Sequence, residues 1–165
     1  MVEVKVENIR VSLMSQQHVV ILKDLDSNRY LAVWIGRYEA EAIRLALDGE
    51  TPPRPLTHDL ALKMVNDLGA KVSRVIISDI YQDTFYARVE LVGSDGKKLS
   101  IDSRSSDAVA VAVRAKCSIF VDDEVMTKAA VVPDETDETG EDEDLGAFGD
   151  FIGSLDSDDA DKDKG

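Results

Sequence analysis

Two short stretches concentrate the side chains able to do chemistry. Residues 54–59 read Arg-Pro-Leu-Thr-His-Asp, and residues 102–107 read Asp-Ser-Arg-Ser-Ser-Asp. In the first, His58, one of two histidines in the chain, stands between Thr57 and Asp59, with Arg54 just upstream. The position predicts a loop-to-helix junction. The positive end of the helix dipole favours a neutral imidazole there, which suits a general base near neutral pH. The competing reading is structural: Thr57 caps the helix and His58 is a solvent-facing residue of its first turn.

In the second stretch Asp102 and Asp107 flank Arg104 at a strand-to-helix junction. A guanidinium and the free N–H groups of a helix start suit a phosphate, and carboxylates suit an oxygen-ligated divalent metal ion such as magnesium. The structural alternative is a cap plus an Asp–Arg pair tying strand to helix. A third group, Asp79 and Asp83 around Tyr81, reads either as part of a metal site or as a strand end and turn. No Gly-rich phosphate loop, His-x-x-x-His pair or Ser-His-Asp order accompanies them.

The elements that must position these groups follow from periodicity. Residues 2–13 alternate as a first strand, and the apolar runs 19–22 and 30–35 flank a turn-rich segment, predicting a hairpin. Residues 37–47 place Ala40, Ile43 and Leu47 on one helical face, with Gly49 as the stop. The proline-rich residues 51–55 predict an extended loop into a second helix over about 57–68, capped by Thr57 and ended by Gly69. Strands are expected over 72–80, 85–92 and 98–101, with Ser94-Asp95-Gly96 as a turn. Residues 105–115 alternate valine as in a strand, but alanine fills the gaps. Their match to 37–47, each run following a hairpin, favours a largely buried helix and a diverged, duplicated β-β-α unit. A closing strand over 118–121 and a helical turn over 122–128 complete the domain. The predicted class is α+β: a mixed, largely antiparallel sheet with two or three packed helices.

Charge divides the chain at about residue 132. Residues 133–165 hold 14 acidic and 2 basic residues, which leaves residues 1–132 with 17 basic and 19 acidic ones. The net charge of −14 therefore describes the tail, and a nearly neutral domain is not barred from binding nucleic acid. The tail is expected to be disordered. Within it, Leu145, Phe148, Ile152 and Leu155 would form one apolar stripe if helical, which marks residues 145–155 as a docking segment for a protein partner; the plain alternative is a solvated tail. Cys117 is single, sits in an apolar run and can form no internal disulfide. No signal-peptide pattern or membrane-length apolar run is present, so the expectation is a soluble cytoplasmic protein with no membrane association. The exposed edges of so small a sheet predict a homo-oligomer.

Taken together, Trp34-Ile35-Gly36, Glu39-Ala40, the Arg54–Asp59 block, Leu68-Gly69, Val75, Thr84-Phe85-Tyr86-Ala87, Asp102-Ser103-Arg104 and Ser106-Asp107-Ala108 resemble the bifunctional nuclease family, in the family's order, over roughly residues 2–130. The resemblance implies a compact α+β domain and nuclease activity on RNA and DNA. The Arg54–Asp59 block is intact. The second block departs from the family pattern, which usually has proline where this chain has Ser105. An acidic tail also stands where many bacterial relatives carry a short helical-hairpin module.

The expected function is hydrolysis of phosphodiester bonds in RNA or DNA. His58 would serve as general base or acid, and Asp59, Asp102 and Asp107 would hold a divalent metal ion such as magnesium. Arg54 and Arg104 would steady the scissile phosphate. The rival expectation, from another class, is a non-catalytic module that binds an anion or a partner in the same polar cleft. The near-neutral domain, lacking a strong basic stripe, leans mildly that way.

Overall fold

A computed structural model describes residues 1–12 and 16–133. The acidic tail and the proposed docking segment 145–155 lie outside the described residues. Among the described residues, eight strands and four helices follow one another as β1 (Val2–Val11), β2 (His18–Asp24), β3 (Tyr30–Ile35), α1 (Arg37–Leu47), α2 (Thr57–Asp67), β4 (Ala70–Tyr81), β5 (Thr84–Gly93), β6 (Lys98–Arg104), α3 (Ser105–Ala115), β7 (Ser118–Val121), α4 (Asp123–Ala129) and β8 (Ala130–Val131). The class is α+β.

All eight strands form one sheet in the order β6-β5-β4-β7-β1-β2-β3-β8. Every neighbouring pair is antiparallel except β4 with β7. Helix α4 touches both β3 and β4, which are well separated in that order, so the sheet curls around its helical face. The core lies inside this curl. Val20, Leu22, Leu31, Val33, Val75, Ile77 and Val109 are fully buried in it.

The repeat is larger than the expected β-β-α by one strand. Two antiparallel meanders, β1-β2-β3 and β4-β5-β6, each run into a helix, α1 and α3. Those two helices pack against each other. Helix α3 is the central one: it contacts α1, α2, β4 and β5, and its Ala108, Val109, Ala110 and Ala112 are buried. That explains the ambiguous sequence. Small residues between the valines let α3 lie close to a sheet on one side and two helices on the other.

The sequence placed most elements to within a residue or two, with three differences that bear on the site. Strand β6 continues to Arg104 because its backbone keeps pairing with β5, so Asp102 and Ser103 belong to the strand. Thr57 is not the cap of α2 but its first residue; Leu56 occupies the cap position, and Asp59 Oδ2 accepts the Leu56 N–H at 2.8 Å. A carboxylate at the third helical position reaches back to do what a threonine hydroxyl was expected to do. The Tyr81–Asp83 region is a two-residue hairpin turn, with Gln82 and Asp83 both at positive φ, 47° and 56°.

Candidate active site

Three helix starts meet on the helical side of the sheet. The third residue of each is acidic: Glu39 in α1, Asp59 in α2 and Asp107 in α3. Negative charge is favoured there by the helix dipole, and each carboxylate is also held by a cation from a different element. Arg104, the residue before α3, donates from Nε and Nη2 to Asp107 at 2.7 and 3.1 Å, and its Nη1 lies 3.0 Å from Glu39 Oε1. Arg114, in the last turn of α3, donates to Asp59 at 2.6 Å and to the Ala110 carbonyl at 3.0 Å.

His58 joins two of these starts. Its Nε2 lies 2.9 Å from Asp107 Oδ1. Burial alone would push the Asp107 carboxyl up, but hydrogen bonds from Arg104 and His58 outweigh it and hold the group below the ordinary carboxylate range. An ionised carboxylate only accepts, so His58 Nε2 is the donor in this contact. Asp59 behaves in the same way: burial raises it, and the Leu56 N–H and Arg114 more than reverse the effect.

The two chain segments singled out by their chemistry therefore converge on one hydrogen-bonded cluster. The match to a family model extends over residues 20–134 and thus covers both. This chain belongs to the bifunctional nuclease domain family. It is 38% identical over 162 residues to an uncharacterized protein of Mycobacterium tuberculosis, covering 95% of this chain and 96% of that one. It is 28% identical over 116 residues to bifunctional nuclease 1 of Oryza sativa subsp. japonica, covering 68% of this chain and 35% of the rice protein. The bifunctional nuclease of Oryza minuta matches to the same extent.

Within this bifunctional nuclease domain the expected site residues separate into three groups. His58, Asp107 and Arg104 form the connected network. Asp59 is adjacent in sequence but turns to Arg114, and both line a different hollow of about 460 Å³ with Lys63 and Glu50. Arg54 is exposed on the loop before α2 and has no hydrogen-bond or ion-pair partner among the described residues. Asp102 is exposed and pairs in register with Arg88, between the core-facing pairs Ala87–Ser103 and Val89–Ile101. Because side chains alternate along a strand, Asp102 stands on the sheet face away from the helices.

The three carboxylates assigned to one divalent ion are thus not gathered. Asp59 and Asp107 are each engaged by a separate arginine, and Asp102 is across the sheet. Among the described residues no three His, Cys, Asp or Glu side chains are placed to share an ion. Arg104, expected to steady the scissile phosphate, has its fork on Asp107 and its remaining arm on Glu39.

Glu39 and Arg114 are not among the side chains that the sequence marks for chemistry, although Glu39 lies in the Glu39-Ala40 block of the family resemblance. Arg114, only 8% exposed in an alanine- and valine-rich helix, takes Asp59 as the acidic partner a buried cation needs, apart from the His58–Asp107–Arg104 network. Cys117 is half-buried against the core, and burial pushes its thiol up, away from reactivity. No helix among the described residues is long and apolar enough to cross a membrane.

Proposed function

We propose that this domain is a phosphodiester hydrolase acting on RNA and DNA, with His58 as its general base and Asp107 as the group that positions it. The observation that carries this reading is the 2.9 Å bond between His58 and Asp107 across two helix starts. A carboxylate holding one imidazole nitrogen fixes the ring and its tautomer and stabilises the imidazolium that forms on proton transfer. His58 Nδ1 takes a proton from the attacking water; DNA has no 2′-hydroxyl to serve as an internal nucleophile, so water serves for both polymers. Arg104 keeps Asp107 ionised and oriented rather than binding phosphate directly. Arg54, exposed four residues before His58, supplies the free cation for the phosphate backbone. The rice relatives are named as bifunctional nucleases, which supports the class. No metal-dependent step is derived, because the proposed donors are not assembled around one point.

A second reading has one observation in its favour. Arg104 and Arg114 are both held by carboxylates, so the cluster is close to electrically neutral and could hold a ligand without turning it over. One assay separates the two. Labelled single-stranded RNA and DNA are incubated with the full chain, in magnesium and in chelator, beside His58→Ala. Cleavage by the natural chain and none by a folded His58→Ala supports the hydrolase. Equal cleavage by both removes His58 from the mechanism, and binding without cleavage by either favours the binding module.

A further inference from the structure

A hollow of about 410 Å³ opens beside the network, lined by Trp34, Gly36, Phe85, Arg104, Ser105 and Ser106. Ser105 and Ser106 are 7% and 6% exposed, yet neither hydroxyl has a hydrogen-bond partner among the described residues. Among those residues no buried side-chain oxygen is sealed off without a partner, so these two hydroxyls open onto the space their residues line. The backbone has the same unfilled capacity. Neither α1 nor α3 is capped by a side chain at its start, and both starts border the hollow through Gly36 and Arg104. The short α4, by contrast, is capped by Asp122, which accepts the Glu124 N–H. Two hydroxyls and the uncapped start of an eleven-residue helix border a space that the described residues leave unfilled.

We infer that this hollow is a phosphodiester subsite, in which one phosphate of a single strand sits on Ser105, Ser106 and the first N–H groups of α3, with its nucleoside toward Phe85, which packs on the helical side of the sheet. The inference rests on the reading of the domain as acting on nucleic acid and names how that substrate is gripped. Charge selects a diester over a monoester. Asp83 stands at the rim, and Glu39 and Asp107 take up much of the Arg104 charge, so one negative charge is accommodated better than two. Size and lining select a single strand. A space of this volume holds about one nucleotide, and a base set against the Phe85 ring has left its own stack.

The full chain is titrated in chelator at low salt with the dinucleotide thymidylyl-thymidine, and separately with thymidine, by isothermal calorimetry. The dinucleotide should bind saturably with a Kd at least about ten-fold below that of thymidine. Ser105→Ala/Ser106→Ala should raise the dinucleotide Kd by about ten-fold or more and leave thymidine unchanged. Should that variant fold poorly, the natural chain alone still decides: dimethyl phosphate, a singly charged diester, should displace the dinucleotide, and chloride at matched ionic strength should not. Equal affinity for thymidine, unchanged affinity in a folded serine variant, or dimethyl phosphate acting no better than chloride would each overturn the subsite. Binding of the dinucleotide without any cleavage of single-stranded substrate ends the hydrolase reading and spares the subsite; cleavage with no saturable binding of the dinucleotide does the reverse.

Discussion

Asp107 receives His58 Nε2 at 2.9 Å and the Arg104 fork at 2.7 and 3.1 Å, so one carboxylate fixes an imidazole from a different helix and a guanidinium from the strand before its own helix. This arrangement converts two distant stretches of sequence into one unit. It also assigns the donor: His58 Nε2 donates and the carboxylate accepts.

Asp107→Asn tests that assignment with little change of shape. An amide can present N–H to Nε2 and invert the tautomer, which takes the lone pair away from Nδ1. Cleavage of single-stranded substrate should fall by about 10²- to 10⁴-fold while circular dichroism remains that of the folded domain. A loss below about three-fold would show that the carboxylate does not set the proton.

Arg114→Met should act on stability instead. It leaves Asp59 with the Leu56 N–H but without its cation. Since Asp59 is about a third exposed, the expected cost at pH 7 is discounted to about 1–2 kcal/mol in urea unfolding. The sign with pH follows from the depressed Asp59 carboxyl. Its pairing stabilises the fold above the unfolded carboxylate range and is lost as pH falls through the native value. The difference between natural and variant chains should therefore narrow below about pH 4; a difference that is constant with pH would mean that Arg114 acts through packing alone.

Gly36→Ala probes the link between α1 and α3. The backbone at Gly36 is ordinary, with φ −71°, but an added Cβ would collide with the Glu39 carboxylate that engages Arg104. Glu39 can swing aside, so the stability cost should stay within about 1 kcal/mol. The consequence is for activity: with Arg104 released on one side, kcat should drop about three- to ten-fold, and Glu39→Gln should reproduce the drop. A Glu39→Gln chain with full activity would show that this contact is architectural.

How much of this was legible depends on which residues carry the information locally. Helix α3 could be read because Asp107 to Ala112 repeats the pattern of Glu41 to Ala46 after a second hairpin, a comparison within one chain. The limits of β6 could not be read: nothing in Asp102 or Ser103 says that their backbones keep pairing with Arg88 and Ala87. That pairing sends Asp102 to the far face of the sheet, and with it the expected metal set. The cap of α2 was misassigned to Thr57 because capping statistics favour a hydroxyl before a helix, whereas the Asp59 carboxylate had both the reach and the charge. The sequence suggests that the two polar junctions share a cleft, but the pairing of His58 with Asp107 and the division of the arginines, Arg104 to Asp107 and Arg114 to Asp59, depend on packing between helices that periodicity does not record.

The outermost strand β6 bears on assembly. Leu99 and Ile101 are 46% and 47% exposed on it, on the face that carries the core further in. An edge that no described residue pairs, with two exposed apolar side chains, favours self-association. Leu99→Lys/Ile101→Lys should lower the mass seen by sedimentation to that of one chain at about 10 µM, a concentration where typical micromolar contacts persist. An unchanged mass would place any contact elsewhere.

The most direct test of the central claim is a double-mutant cycle on His58→Ala and Asp107→Ala, read as single-turnover cleavage of labelled single-stranded RNA and DNA by folded protein. If Asp107 works through His58, the double variant loses no more than His58→Ala alone. If the two losses multiply, the residues act independently, and the pair at the junction of α2 and α3 is not the catalytic unit.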